Sequence, residues 1–258
     1  MGKAIAIFNQ KGGVGKTTTN INLAATLAST GRKILVIDID PQGNTTSGLG
    51  IAKKNLKKTT YEILIDGDMD MSSAVIPTQV ANLDIVPASV QLAGAEVELV
   101  RVEGREKILK RAIATIKDNY DYIFIDCPPS LGLLTINSLS AVDSVLIPIQ
   151  CEFYALEGVS QLINTIEIVR KKLNPYLEIQ GVLLSMFDGR TNLSLQVVEE
   201  AKKFFKSKVY GTVIPRNVRL AEAPSYGLPI TEYDPKSTGA EAYRDFAQEF
   251  IWLEEGVK

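Results

Sequence analysis

The stretch Lys3-Ala-Ile-Ala-Ile-Phe-Asn-Gln-Lys-Gly-Gly-Val-Gly-Lys-Thr-Thr18 decides the fold of this protein. Its first half is a continuous apolar run, typical of a strand that is buried on both faces. Its second half is rich in glycine, and a helical pattern follows over about Lys16 to Ser29. A glycine-rich loop that joins a strand to a helix and ends in Lys-Thr is the signature of a phosphate-binding loop. The segment therefore predicts a site for a nucleoside triphosphate with Mg²⁺.

Each residue type in this loop has a physical reason to be there. Glycines let the backbone N–H groups converge on phosphate oxygens, and the helix N-terminus adds its positive dipole. We expect Lys16 to reach the β and γ phosphates and the Thr17 hydroxyl to bind Mg²⁺. The predicted nucleotide contacts of the loop are Gly12, Gly13, Val14, Gly15, Lys16, Thr17 and Thr18.

The loop departs from the general motif in one respect. Gln10 stands where the usual pattern has its first glycine, and a second lysine, Lys11, lies beside the expected phosphates. A loop that already carries Lys16 has little structural use for Lys11. The loop is therefore of a deviant type, with one cation more than a single site needs.

Aspartates follow two other apolar strands, at the ends where doubly wound sheets bind their ligands. Asp38 and Asp40 end the strand after the loop, and Asp126 ends the run Tyr120-Asp-Tyr-Ile-Phe-Ile-Asp126. In phosphoryl transfer the protein positions groups, neutralises charge and orients the attacking water. We expect Asp40 to orient water, Asp126 to hold the metal shell, and Asp38 to support the metal or the phosphate loop.

The rest of the chain alternates short apolar runs with helical patterns, which favours an α/β fold: a doubly wound, mostly parallel sheet flanked by helices. No linker or repeat interrupts the series, so one domain over residues 1–258 is expected. Only the stretch Gly48 to Gln79 has a weak pattern, with a short helical signal at 61–65. Predicted strands are 3–9, 33–39, 83–87, 120–126, 144–149, 179–186 and 209–214; predicted helices are 16–29, 89–102, 105–119, 155–173, 192–206 and 238–253.

Composition excludes several classes of protein. The 258 residues are 45% hydrophobic with a net charge of −2, so any binding of a polyanion has to come from a local patch. Histidine is absent, which excludes histidine-based nucleophilic triads and histidine-ligated metals. No apolar stretch approaches the length of a membrane span or a signal peptide, so a cytoplasmic protein is expected.

The motifs resemble those of the ParA/MinD class of deviant-Walker P-loop ATPases. The resemblance lies in Lys11–Thr18, in Asp38-Ile-Asp-Pro-Gln-Gly43 and in Asp121-Tyr-Ile-Phe-Ile-Asp-Cys-Pro-Pro-Ser130. Within that class, Pro215-Arg-Asn-Val-Arg-Leu-Ala-Glu-Ala-Pro-Ser-Tyr-Gly227 and Tyr233-Asp-Pro-Lys-Ser237 are similar to the Soj-type chromosome-partitioning ParA proteins. The resemblance extends over the whole chain.

The resemblance implies further roles in the nucleotide site. Lys11 would be the signature lysine, which reaches the partner's phosphates across an ATP-bound sandwich homodimer, and Gly12 would have to stay small for that approach. Pro215, Asn217 and Val218 would lie near the adenine. The candidate catalytic residues are then Lys11, Lys16 and Asp40.

The resemblance also implies a function in chromosome or plasmid segregation. In this family the ATP-bound dimer binds double-stranded DNA without sequence preference, and Arg190 and Arg219 match the positions of its DNA-contact arginines. A ParB/Spo0J-type partner protein would stimulate ATP hydrolysis. The protein would then be associated with the nucleoid, without membrane binding.

A MinD-like ATPase that cycles on a membrane is the nearest alternative. It requires a C-terminal amphipathic helix with a basic polar face. Here the last helix is acidic, and its aromatic residues are expected to pack on the body of the protein: Tyr243, Phe246, Phe250 and Trp252.

A relative that bridges an iron–sulfur cluster is a second alternative. Cys127 follows the expected metal aspartate, and Cys151 ends the next strand. Neither has the spacing of cluster ligands, so two buried, inert cysteines are expected.

A scaffold that binds ATP without hydrolysing it is a third alternative. Such a protein has no use for a residue that orients water. The presence of Asp40 therefore favours hydrolysis.

Overall fold

Parallel strands buried on both faces form the centre of the molecule. The structure is a computed structural model, and it describes residues 2–67, 69–152 and 158–256. The strands are β1 (Lys3–Ile7), β2 (Ile34–Asp38), β3 (Ile76–Pro77), β4 (Leu83–Val86), β5 (Tyr122–Asp126), β6 (Ser144–Gln150), β7 (Glu178–Phe187) and β8 (Val209–Pro215). They form one sheet in the order β3-β4-β2-β5-β1-β6-β7-β8. Only the short edge pair β3-β4 is antiparallel within the described residues. The mostly parallel sheet expected from the sequence is confirmed.

Helices cover both faces of this sheet. They are α1 (Lys16–Ser29), α2 (Asn44–Gly48), α3 (Thr60–Ile65), α4 (Leu92–Glu98), α5 (Ile108–Ala114), α6 (Leu133–Ala141), α7 (Val159–Lys172), α8 (Asn192–Phe205), α9 (Val218–Glu222), α10 (Ile230–Tyr233) and α11 (Thr238–Glu255). One apolar core lies between the sheet and α3–α8, and the other lies between the sheet and α1 with α9–α11. This arrangement on both faces is the doubly wound fold.

The strand register brings the predicted acidic residues and the phosphate loop to one edge. Ile7, at the end of β1, pairs with Asp126 of β5, and Asp126 pairs on its other side with Asp38 of β2. Because these strands are parallel, the loops that follow them leave the sheet at the same edge. The strand order reverses around β1, and such a switch point is where doubly wound sheets bind ligands.

Some helices differ from their predicted bounds. The helix predicted over 89–102 is α4 followed by a 3₁₀ turn at Leu99–Arg101, and that over 105–119 is α5 between two 3₁₀ turns. The start of the helix predicted over 155–173 lies outside the described residues, and α7 forms its remainder. The sequence patterns thus located these three helices but not their ends.

Helix α6 is absent from the sequence-based predictions although it connects β5 to β6. Almost every residue of α6 is buried, including polar ones, so no apolar stripe marks it in the sequence. Several of its polar side chains have partners inside the protein, whereas the buried Ser140 hydroxyl has none among the described residues. Asn137 Nδ2 donates to the Arg105 carbonyl at 2.8 Å, and Ser138 Oγ donates to the Leu134 carbonyl at 2.9 Å. Periodicity therefore carries no signal here.

The C-terminal helix α11 packs on the body through most of its aromatic residues. Tyr243, Phe246 and Phe250 are buried. The expectation was wrong for Trp252, which is 57% exposed. None of the described helices is long and apolar enough to cross a lipid bilayer.

Candidate active site

The phosphate loop has the backbone conformation that anion binding requires. Gly13 and Gly15 have φ angles of +75° and +87°, a left-handed region that strains other residues. Gly15 caps α1 without any side-chain hydrogen bond, so the first N–H groups of α1 remain available. The loop is anchored from β7, where the Ser185 hydroxyl donates to the Val14 carbonyl at 2.8 Å. The geometry is that of an anion site at a helix N-terminus.

The two lysines of the loop lie in different environments. Lys16 is 7% exposed, and its ammonium donates to the Lys11 carbonyl at 3.0 Å across the mouth of the loop. Burial lowers the pKa of Lys16, and the nearby Asp126 carboxylate opposes this shift. The Lys11 side chain is half-buried, and among the described residues its ammonium has neither a hydrogen bond nor an ion pair. Lys16 thus serves its own loop, whereas the Lys11 ammonium has no contact of this kind in the described part of the chain.

Asp126 is the centre of a buried polar cluster. Its Oδ2 accepts hydrogen bonds from the hydroxyls of Thr17 at 2.8 Å and Thr45 at 2.7 Å. Its Oδ1 is also buried but has no hydrogen-bond partner within the described part of the chain. Burial raises the pKa of this carboxyl group above that of an ordinary aspartate. An unsatisfied buried carboxylate oxygen costs free energy, so a further polar group at Oδ1 would stabilise the cluster.

These residues fit a magnesium ion. Mg²⁺ prefers oxygen ligands, and it usually keeps several waters and binds to substrate phosphates rather than to a cage of protein ligands. Thr17 and Asp126 supply oxygen atoms, and the unpartnered Oδ1 is a natural acceptor for a metal-bound water. No group of three or more acidic or cysteine side chains able to hold a metal is found in the described ranges. Thr17 and Asp126 would hold the ion, which would neutralise phosphate charge.

Asp38 and Asp40 have different contacts although they are two residues apart. Asp38 Oδ2 accepts from the backbone N–H and the hydroxyl of Thr46, at 2.8 and 2.7 Å. Its Oδ1 accepts from the Asp40 N–H at 3.2 Å. Asp38 therefore holds the loop between β2 and α2 in place, and its predicted support of the metal or phosphate loop remains a prediction.

Asp40 begins the turn that connects β2 to α2. Its Oδ1 accepts from the Gln42 N–H at 2.9 Å, and its carbonyl accepts from the Gly43 N–H at 2.8 Å. The residue is 8% exposed. A rigid turn thus presents the carboxylate at the edge of the sheet that carries the phosphate loop.

A pocket of about 390 Å³ adjoins the phosphate loop. Gly15 and Thr18 line it on one side, and Pro215, Asn217 and Val218 line it on the other. The last three are the residues for which the family resemblance implies contact with adenine. A pocket of this size and apolar character suits a planar heterocycle.

The residues of this pocket that were not identified from the sequence include Ser185, Met186 and Tyr243. They come from β7 and α11, far from any motif. Met186 has a φ of +51°, which is uncommon for a residue with a side chain and is often found at binding sites. No local sequence pattern predicts such a conformation.

The two candidate DNA-contact arginines lie in loops after neighbouring strands. Arg190 follows β7, and its guanidinium forms two hydrogen bonds with Asp188 at 2.8 and 2.7 Å. This pairing lowers the pKa of Asp188 to about 2. Arg219 lies in the first turn of α9, which follows β8, and pairs with Glu222 at 2.9 Å. Both arginines are solvent-exposed, at the same edge of the sheet as the phosphate loop.

Both cysteines are buried and free. Burial raises the pKa of Cys127 to about 12 and that of Cys151 to about 11. Ligation of a cluster requires thiolates, whereas these environments favour the protonated thiol. The contacts agree with the expectation of inert cysteines.

We expect neither thiol to react in the folded protein. At pH 8, a thiol with a pKa near 11 is about one part in a thousand thiolate. Iodoacetamide labelling followed by mass spectrometry should leave Cys127 and Cys151 unmodified in buffer and modify both in denaturant. Rapid labelling of either residue in buffer would contradict this assignment.

Comparisons with known proteins agree with this geometry. A model of the AAA domain family matches residues 2–179. The sporulation initiation inhibitor protein Soj of Bacillus subtilis is 64% identical over 249 residues, which cover 96% of this chain and 98% of that protein. The chromosome partitioning protein ParA of Myxococcus xanthus is 55% identical over 251 residues, which cover 97% of this chain and 88% of that protein.

A solved structure shows the same fold with a nucleotide bound. Cobyrinic acid a,c-diamide synthase from Mycobacterium smegmatis, with a bound ATP analogue and magnesium, matches with a TM-score of 0.86 and 38% identity. The match covers 100% of this chain and 98% of that one. Identity above one half along nearly the whole chain goes well beyond a shared fold, and this chain belongs to the Soj/ParA family of chromosome-partitioning P-loop ATPases.

Proposed function

We propose that this ATPase binds ATP with Mg²⁺, forms a sandwich homodimer in the ATP state, and then binds double-stranded DNA without sequence preference. A ParB-type partner stimulates hydrolysis, and the cycle drives chromosome or plasmid segregation. In this proposal residues 1–258 act as one ATPase domain, and the DNA-bound form is associated with the nucleoid.

The observation that carries this proposal is the pair Lys11 and Gly12. No hydrogen bond or ion pair involves the Lys11 ammonium in the described residues, so its three N–H donors are available for a charged partner beside the phosphate site. A Cβ atom added to Gly12 would meet nothing within 4 Å, and Gly12 does not have a positive φ. None of the residues that the structure describes therefore requires glycine at this position. A second copy that approaches the loop closely would require it, and Lys11 could then serve the partner's phosphates.

The contacts of the Asp40 turn support hydrolysis rather than passive binding of ATP. Asp40 is held by the turn and by the Asp38–Thr46 contact at a sheet edge shared with Lys16 and Asp126. A carboxylate held in this way can orient a water for attack on the γ phosphate.

The positions of Arg190 and Arg219 support a DNA-binding surface. Because each is paired with a carboxylate, one chain offers little net positive charge there. A dimer doubles the number of phosphate contacts, and affinity for DNA rises steeply with that number. This accounts for DNA binding by the ATP-bound dimer in a protein whose net charge is −2.

The contacts of α11 support DNA rather than a membrane as the target. Its apolar face is buried through Phe246 and Phe250, and its end is fixed by ion pairs of Glu254 with Lys3 and of Glu255 with Arg32. A membrane-binding helix needs a free apolar face and a basic rim.

A DNA gel shift with a non-hydrolysing Asp40→Ala protein tests the proposal. We expect a shift of unrelated DNA sequences with ATP and none with ADP. Arg219→Glu should abolish the shift without affecting dimerisation, because it replaces a phosphate contact by a repulsive charge beside Glu222.

Arg111→Glu is the matched control. It makes the same change of charge, but on α5, a helix that packs against α3 and α6 and carries neither of the two candidate DNA-contact arginines. It should retain the shift. Equal binding with ADP and ATP would contradict the nucleotide switch, and full binding by the Arg219→Glu dimer would remove Arg219 from the DNA surface.

A further inference from the structure

Consecutive threonines at the start of α2 bind to two different strand-end aspartates. Thr45 donates to Asp126 Oδ2 at 2.7 Å, and Thr46 donates to Asp38 Oδ2 at 2.7 Å. Both threonines are completely buried. Helix α2 is therefore held at once by the end of β5, which carries the candidate metal carboxylate, and by the end of β2, which leads into the Asp40 turn.

The direction of the Thr45 hydrogen bond is determined by a third residue. Asn20 of α1 donates from Nδ2 to Thr45 Oγ1 at 3.3 Å. A hydroxyl has a single hydrogen, so with one lone pair occupied by Asn20 the hydrogen is directed to Asp126. Asn20 Oδ1 is itself buried without a partner among the described residues. The Asn20–Thr45–Asp126 chain thus links the helix after the phosphate loop, α2 and the metal carboxylate.

Hydrogen bonds connect the turn that begins at Asp40 directly to α2. Gln42 N–H and Gly43 N–H are bonded to Asp40, and the Gly43 carbonyl accepts from the Ser47 N–H at 3.1 Å. A shift of Asp126 when the ion binds would therefore move Thr45, α2 and Asp40 together.

We propose that Thr45 is a positioning residue, which couples the Mg²⁺ carboxylate Asp126 to the water-orienting Asp40 turn through helix α2. Thr45 contacts neither nucleotide nor metal in this role. It acts by making the position of Asp40 depend on the metal site. This inference rests on the proposed assignment of Mg²⁺ to Thr17 and Asp126.

Two substitutions at Thr45 separate the hydroxyl from the shape of the side chain. Thr45→Val keeps the volume and removes the donor, whereas Thr45→Ser keeps the donor. We expect Thr45→Val to lower kcat for ATP hydrolysis about 10- to 100-fold with a KM for ATP within about twofold, as for residues that orient a metal ligand. Thr45→Ser should restore most of kcat. Thr26→Val is the matched control, because the buried Thr26 hydroxyl donates only to the Asn22 carbonyl of its own helix.

Hydrogen exchange provides a measurement independent of activity. With ADP bound, addition of Mg²⁺ should slow amide exchange of residues 42–48 in the unsubstituted chain, in Thr45→Ser and in Thr26→Val. In Thr45→Val, ADP should still bind, and the effect of Mg²⁺ on these amides should be lost.

Several results would overturn the coupling. These are unchanged kcat and protection in Thr45→Val, an equal loss in Thr45→Ser, or a higher KM with kcat unchanged. If circular dichroism shows that Thr45→Val does not fold, the unsubstituted chain tests the inference. Absence of any effect of Mg²⁺ on the amide exchange of residues 42–48 in that chain would overturn it. Absence of ATP hydrolysis by the unsubstituted chain would instead contradict the proposed function, so the two failures are distinguishable.

Discussion

Replacing Asp40 by alanine is expected to lower kcat for ATP hydrolysis about 10²- to 10⁴-fold, the contribution of a positioned acid–base group. ATP binding and ATP-dependent dimerisation should persist, because the phosphate contacts of the glycine loop and Lys16 do not involve this side chain. The substitution also removes the acceptor for Gln42 N–H, so a loosened turn contributes to the loss. Phosphate release measures turnover, and light scattering after size exclusion measures the dimer.

The substitution Asp40→Asn separates the loss of the water-orienting carboxylate from the loosening of the turn. Asparagine retains an acceptor for the Gln42 N–H but has no charge, so kcat should remain low if the carboxylate orients water. Asp118→Ala, at an exposed aspartate of the 3₁₀ turn before β5, is the control and should have normal turnover. Unchanged phosphate release by Asp40→Ala would remove Asp40 from the mechanism.

Replacing Lys11 by alanine is expected to abolish the ATP-dependent dimer and to lower kcat at least about 100-fold. Loss of a preorganised charge on the transferring phosphoryl group costs this much or more. The monomer should still bind nucleotide, since the Lys16 ammonium and the backbone of the loop remain. The Lys11 carbonyl that accepts from Lys16 is also unaffected by the substitution.

The dimer is best measured in the Asp40→Ala background, where ATP persists during size exclusion. Gly12→Val should give the same monomeric result without removing any charge, because a Cβ atom at this position meets nothing within 4 Å in the described residues and we expect the added methyl groups to block the approach of a partner. Lys110→Ala on α5 removes an exposed lysine and should remain dimeric. A fully dimeric Lys11→Ala protein would refute the role across the interface.

Much of the fold could be predicted because its strands carry local signals. Buried parallel strands are continuous apolar runs, so β1, β2 and β5 were located to within a few residues. The edge strand β3 has two residues and includes Pro77, which is too short for any pattern. Helix α6 was missed because a helix buried all round has no periodic stripe.

The candidate site was predictable in its motifs but not in its contacts. The glycine loop, Asp40 and Asp126 are recognisable because phosphate binding requires those residue types next to strands. Thr45 and Thr46 follow a recognised motif, yet nothing local indicates which carboxylate each one binds. The contact of Asp38 with Thr46, rather than with the phosphate loop, is evident only in the folded chain.

By itself the sequence determined a phosphate-binding loop between strand and helix and a parallel α/β fold, because both depend on residues close together in the chain. Only the tertiary structure decided which distant groups meet. Thr17 and Asp126 are 109 residues apart, and they form a hydrogen bond because β1 pairs with β5 in a register that ends both strands at one edge. Strand order and register depend on the packing of all the strands and helices together, so no single stretch of sequence encodes them.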